Sequence, residues 1–126
     1  MLTLDQTVSM DYYGSKLYPF WQRNFDSATE LISSVFEGYE SLVALTSKFD
    51  KDLYDDLSSV GGSKYADLLS LVYRQVTGSL EKTYNPDVDE TWVFMKEISS
   101  DGDVSTVDVV YPAIPMFLYL APETFR

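Results

Sequence analysis

Lys96 and Glu97 stand side by side, and Asp101, Asp103 and Asp108 follow within a dozen positions. A carboxylate such as Glu97 or Asp108 can take a proton from water. The Lys96 ammonium can stabilise an oxyanion or activate Ser99, Ser100 or Thr106 as a nucleophile. Adjacent residues of a strand leave on opposite faces, so Lys96 and Glu97 serve one pocket only where the strand has already ended. The alternative for each is a surface ion pair or a turn cap. Asp101-Gly102-Asp103 with Asp108 also presents oxygens to a hard cation. A calcium loop needs ligands at alternating positions and a terminal bidentate Glu, and Val104 to Val107 supplies only the hydroxyls of Ser105 and Thr106; Asp side chains bonding their own backbone in a turn are the better default, and no metal is expected. Further upstream, the planar fork of Arg74 suits a substrate carboxylate, or else an ion pair with Glu30, Glu37 or Asp67.

The whole chain limits which chemistry is open to these residues. At 126 residues, 45% hydrophobic and 15% aromatic, it has the material for one folded unit. Nine Lys and Arg against 20 Asp and Glu give a net charge of -11, a field that repels nucleic acid and anionic lipid surfaces alike. With no Cys and no His there is no thiolate nucleophile, no imidazole base and no zinc site of the usual kind. No basic region followed by an apolar stretch marks an export leader, and no apolar run approaches the ~18 residues of a membrane span.

The elements that must position these residues follow from patterning. Residues 1–24, with Tyr12-Tyr13-Gly14 and Tyr18-Pro19-Phe20-Trp21, read as an irregular lead-in, and residues 25–81 read as helices. Ser27-Ala28-Thr29-Glu30 has the form of a capping box, and Leu31, Ile32, Val35, Phe36, Tyr39, Leu42 and Val43 recur at helical spacing to form a stripe facing a core. The pattern loosens at Thr46-Ser47, resumes with Phe49, Leu53 and Leu57, and ends at Gly61-Gly62. Ser63 then caps a helix with Tyr65, Leu68, Leu69, Val72, Val76 and Leu80 on one face and Arg74 and Glu81 elsewhere. Residues 82–98 read as a short hairpin through Asn85-Pro86-Asp87. Residues 99–126 read as a polar turn and an apolar C-terminal segment. Pro112 and Pro115 rule out one long helix from Val107, leaving a helix that starts near Pro115.

Several of these motifs occur together in one known family. Lys64-Tyr65-Ala66-Asp67-Leu68, Tyr73-Arg74-Gln75-Val76, the block from Phe94 to Gly102, and Thr106 to Pro115 with Leu118-Tyr119 and Pro122-Glu123 resemble, in order and spacing, the central part of glutaminase A from fungi and related bacteria. Tyr12-Tyr13-Gly14, Trp21-Gln22-Arg23-Asn24 and Phe49-Asp50 extend the likeness over nearly the whole chain. The resemblance implies a secreted enzyme that hydrolyses the side-chain amide of L-glutamine to glutamate and ammonia without a cofactor. It also implies a mainly α fold: helical hairpins of an incomplete α/α toroid of six-hairpin type, with a short β-hairpin. The site residues carried over are Lys96, Glu97 and Asp108 for the chemistry and Arg74 for the substrate carboxylate.

A full toroid needs more helices than this chain can supply. The Met1 start without an export leader therefore fits an excised segment, inactive alone, whose partners are the remaining domains of the same protein or, through uncovered apolar faces, further copies of itself. Two other readings compete: a glycoside hydrolase of similar shape using Glu97 and Asp108 as its carboxylate pair, and a non-catalytic helical interaction module.

Overall fold

The computed structural model describes residues 7–97 and 102–125. Ser99, Ser100 and Asp101 lie outside the described residues. The chain divides into two compact units, one formed by residues 1–28 and 79–126 and the other by residues 29–78.

The first unit is built on an antiparallel sheet of four strands in the order β1 (Met10–Tyr12), β2 (Ser15–Pro19), β3 (Leu80–Asn85), β4 (Glu90–Met95). From Met10 to Arg23 the lead-in is therefore regular, contrary to the expectation of an irregular segment. Tyr12 pairs with Ser15 across a two-residue turn in which Tyr13 and Gly14 have φ of 51° and 85°, the doubly left-handed geometry that suits the twist of a hairpin. A 3-10 turn, Phe20–Arg23, follows β2. The short hairpin expected over residues 82–98 is present and longer at its start: β3 and β4 pair from Leu80↔Met95 to Asn85↔Glu90. Asn85 Oδ1 accepts from the Asp87 amide at 3.0 Å to shape the turn, which is the side-chain chemistry that Asn85-Pro86-Asp87 promised. Leu17 and Thr83 are fully buried, and the Thr83 hydroxyl donates to the Trp92 carbonyl at 3.0 Å, so its burial leaves no polar group unmet.

A helix closes this unit. This helix, α4 (Val107–Leu120), contains both Pro112 and Pro115. This corrects the expectation that the prolines exclude a helix starting at Val107. Each proline removes one bond, to the carbonyls of Asp108 and Tyr111. All four residues are exposed, so water can serve those carbonyls, while Ala113 and Phe117 form the buried stripe on the other side.

The second unit holds α1 (Ala28–Glu37), α2 (Tyr39–Gly61) and α3 (Ser63–Gly78). Helix α1 starts directly after Ser27, as the capping box requires. Gly38 interrupts the helix without ending its ladder: its amide bonds the Ser34 carbonyl at 2.9 Å, and Leu42 bonds the Gly38 carbonyl at 3.0 Å. The loosening read at Thr46 does not break α2, because the Thr46 hydroxyl bonds back to the Leu42 carbonyl at 2.9 Å and so satisfies itself within the helix. Helices α2 and α3 form a helical hairpin joined by Gly62 alone, with φ 80°. A Cβ on the preceding Gly61 would meet the Tyr65 ring at 2.4 Å, so the pair serves both a left-handed bend and a close approach. The apolar spacing is as read, but its burial is not: Leu53 and Ala66 are the buried apolar residues of these helices, whereas Phe36, Leu45 and Leu68 stand 72%, 67% and 58% exposed. The architecture is thus mainly α with a small sheet.

Candidate functional site

In the first unit, the end of β4 and the start of α4 are tied together. Lys96 forms an antiparallel bridge with Val104, the Glu97 amide donates to the Asp103 carbonyl at 3.0 Å, and the Ser105 amide donates to the Met95 carbonyl at 2.7 Å. The chain therefore rejoins the sheet at Val104 beside Lys96, with Thr106 at the N-cap position of α4, where its side chain makes no cap bond, and Asp108 in the first turn. A carboxylate there is favoured by the partial positive charge of the helix start.

Lys96 is held twice. Its amide donates to the Ser79 carbonyl at 2.8 Å, and its ammonium lies 2.6 Å from Glu81 Oε2. The register explains the pairing: Glu81 stands opposite Phe94, so Lys96, two residues on, is its diagonal neighbour on the same face. Glu97, one position further, lies beyond the end of β4 (Glu90–Met95), where strand alternation no longer fixes the direction of its side chain. The structure thus joins Lys96 to Glu81 instead of to Glu97. The second oxygen of Glu81 accepts from the Ser9 hydroxyl at 2.8 Å. Glu81 and Ser9 escaped the sequence reading. Glu81 had been assigned to a helix face, and only the β-register reveals its link to Lys96. Thr106 has its hydroxyl buried with no partner among the described residues, which removes it as a nucleophile for an arriving substrate. No group of three or more acidic side chains among the described residues is placed to hold a metal ion.

Arg74 belongs to the second unit, where a cavity of about 310 Å³ between α2 and α3 is lined by Asp50, Tyr54, Asp67 and Arg74, with Leu53 at its wall. Its partner is Asp50 at 3.8 Å, not the Glu30, Glu37 or Asp67 expected from spacing. Both side chains are largely exposed, and a pair of this length and exposure contributes about 0–1 kcal/mol. Tyr54 is held above its ordinary value, first by desolvation and then by the charge and hydrogen bond of Asp67.

A wider cleft in the first unit, about 710 Å³, is bounded by Phe20, Arg23, Lys82, Trp92 and Glu123. The Lys82 ammonium sits 3.9 Å from the Phe20 ring centre, and Arg23 pairs with Asp89 at 2.9 Å. Lys96, Glu97 and Asp108 are not among its lining residues.

Comparison with known proteins adds a family. The model described as the glutaminase A six helical-hairpin domain matches residues 62–126. Glutaminase A of Aspergillus oryzae is 35% identical over 114 residues, which cover 90% of this chain and 16% of that protein. A probable glutaminase of Arthroderma benhamiae is 31% identical over 105 residues, covering 83% of this chain and 12% of the relative. The chain thus spans between 12% and 16% of the length of these two relatives. No solved structure gives a significant match.

Proposed function

Because the chain belongs to the glutaminase A family, with the six helical-hairpin domain matched over residues 62–126, we propose that it forms the first part of the helical domain of an amidohydrolase that converts L-glutamine to glutamate and ammonia. The observation that carries this reading is the return of the chain at Lys96↔Val104, which brings the end of β4 against the start of α4 inside the matched span. In the proposed reaction a carboxylate, Asp108 or Glu97, takes a proton from water as the water oxygen adds to the side-chain carbonyl carbon. The Lys96 ammonium faces the oxyanion that forms. The proton then passes to the nitrogen, the C–N bond breaks, and ammonia leaves. Separately, within the second unit, Arg74 is proposed as a grip for a carboxylate at the cavity between α2 and α3, through its planar fork.

Pairing with Glu81 supports the electrostatic role of Lys96 over a role as base, since an ammonium held by a carboxylate has no lone pair to offer. No cofactor is needed by these steps. Export from the cell is part of the same proposal. Among the described residues, no helix is long and apolar enough to cross a membrane.

The test is ammonia release from glutamine by the full-length protein with Lys96→Met, Glu97→Gln and Asp108→Asn in turn. Loss of about 10²-fold or more in kcat is expected for Lys96→Met and for at least one carboxylate variant, the scale on which general acid–base and oxyanion groups act. Folded variants that all keep full turnover would overturn the assignment. The 126-residue chain alone is expected to release no ammonia, and turnover by the purified chain would refute that part of the reading.

A further inference from the structure

We propose that Glu81 is the positioning residue for Lys96, a role that rests on the reading of Lys96 as the group facing the oxyanion. The argument begins with the carboxylate. Both of its oxygens are engaged by different partners: Ser9 Oγ donates to Oε1 at 2.8 Å, and Lys96 Nζ lies 2.6 Å from Oε2. A carboxylate bonded on one side only can rotate, whereas one held at both oxygens presents a fixed acceptor. Exposure points the same way, since the Glu81 side chain is 17% exposed and that of Lys96 is 48% exposed. The anchor is sheltered by the sheet and the ammonium it holds reaches solvent, as a group must if it is to meet a substrate.

The backbone of Lys96 is fixed independently, by its bond to Ser79 and its bridge to Val104. With both ends of a flexible four-carbon stem located, little rotamer freedom remains to be lost when an oxyanion forms beside it. Ser9 is itself held to the sheet, its amide donating to the Leu17 carbonyl at 2.8 Å. The relay thus runs from the sheet edge at β1 and β2, through Ser9 and Glu81 on β3, to the ammonium at the end of β4. Glu81 touches no reacting atom in this scheme and acts only through Lys96.

The experiment compares steady-state glutaminase kinetics of the full-length protein carrying Glu81→Gln, Glu81→Asp, Ser9→Ala, Lys96→Met, and the double variant Glu81→Gln/Lys96→Met. A misplacement of about 1 Å at a reacting group can cost about 10²-fold, so Glu81→Gln is expected to lower kcat by about 10- to 100-fold with KM within about twofold of wild type. Glu81→Asp, which keeps the charge on a shorter stem, recovers part of that loss. Ser9→Ala gives a smaller fall in kcat and serves as the readout where Glu81→Gln does not fold. The double variant is no slower than Lys96→Met alone, because the anchor has nothing left to hold.

If Lys96→Met keeps its turnover, the functional reading of Lys96 fails and the role of Glu81 with it. If Lys96→Met is inactive while Glu81→Gln and Ser9→Ala match wild type, the positioning role alone is overturned. A Glu81→Gln effect confined to KM, or one that adds fully to that of Lys96→Met, overturns it as well.

Discussion

Replacing Gly62 with Ala tests the bend that closes the α2–α3 hairpin, and with it the cavity where Arg74 sits. Gly62 has φ 80° and ψ 176°, a region that L residues other than glycine almost never occupy. A Cβ placed there meets nothing within 4 Å, so the cost comes from the backbone and not from crowding. Holding a residue in such a region costs about 1–3 kcal/mol, and the reduced freedom of the unfolded chain on changing Gly to Ala returns about 0.4–1 kcal/mol. The net loss is then about 1–2 kcal/mol, or roughly 4–8 °C in Tm for a chain of this size. Urea unfolding followed by circular dichroism is expected to show a lower midpoint at an unchanged slope. D-Alanine introduced by chemical ligation separates this account from any steric one. For a D residue the same angles mirror an ordinary extended conformation, so stability should rise by a few tenths of a kcal/mol to about 1 kcal/mol. An L-alanine variant with the wild-type midpoint, or a D-alanine variant as damaged as the L form, would refute the reasoning.

Phe117→Ala empties a site only 4% exposed on α4 and should cost about 3–5 kcal/mol in urea unfolding; a loss below about 1 kcal/mol would show that the stripe is not buried as described. At alkaline pH, Tyr84 is held above its ordinary value of 10.0, first by desolvation and then by its hydrogen bond to Asp89, and Tyr54 is raised in the same sense. A raised phenol contributes stability that is complete below the ordinary value and is lost as pH climbs through the folded-state value. The unfolding midpoint should therefore hold level up to about pH 10 and fall above it, less steeply in Tyr84→Phe; an identical alkaline fall in that variant would dismiss the contribution of Tyr84. The exposed apolar residues of the helices, Phe36, Leu45 and Leu68 among them, should drive the isolated chain into dimers or larger species on sedimentation, and Leu45→Glu with Leu68→Glu should shift it toward monomer; a wild-type chain that stays monomeric at high concentration would count against this.

Elements whose signals are local were legible in the sequence. The start of α1 after Ser27, the Gly61-Gly62 end of α2 and the turn at Asn85-Pro86-Asp87 follow from such signals, whereas Ser63, read as a cap, is the first residue of α3, and the Gly62 carbonyl takes the first bond from Ala66. Three elements were not legible: β1, β2 and the start of α4. Tyr13-Gly14 forms a two-residue hairpin turn without the Asn-Gly or Asp-Gly pair that usually announces one, so β1 and β2 were missed. The prolines of α4 were weighed as helix breakers because the sequence alone does not show that the freed carbonyls face solvent. Of the candidate site, Lys96 was proposed for its charge in a polar block. Its anchor Glu81 was hidden by the assignment of that residue to a helix, since β-register and not helical spacing makes the two neighbours. Arg74 was read as a grip for a substrate carboxylate or a partner of Glu30, Glu37 or Asp67; the carboxylate beside it, Asp50, comes from the facing helix, where no single-helix spacing rule reaches.

The same point bears on where the functional unit begins. The family match starts at residue 62, yet the sheet that holds Lys96 does not. Strand β2 pairs with β3 through Tyr18↔Tyr84 and Pro19↔Thr83, and Ser9 reaches Glu81 across 72 positions of sequence. A boundary drawn at residue 62 would cut between those partners. It would strip β3 of its neighbour, open Thr83 and Asn85 to solvent on an unpaired edge, and leave Glu81 free to rotate about its bond to Lys96. The helices between Ala28 and Gly78 are thus an excursion from a sheet that was already begun. The residues proposed for chemistry at Lys96 depend on the strands that precede that excursion as much as on the segment that carries the family signature.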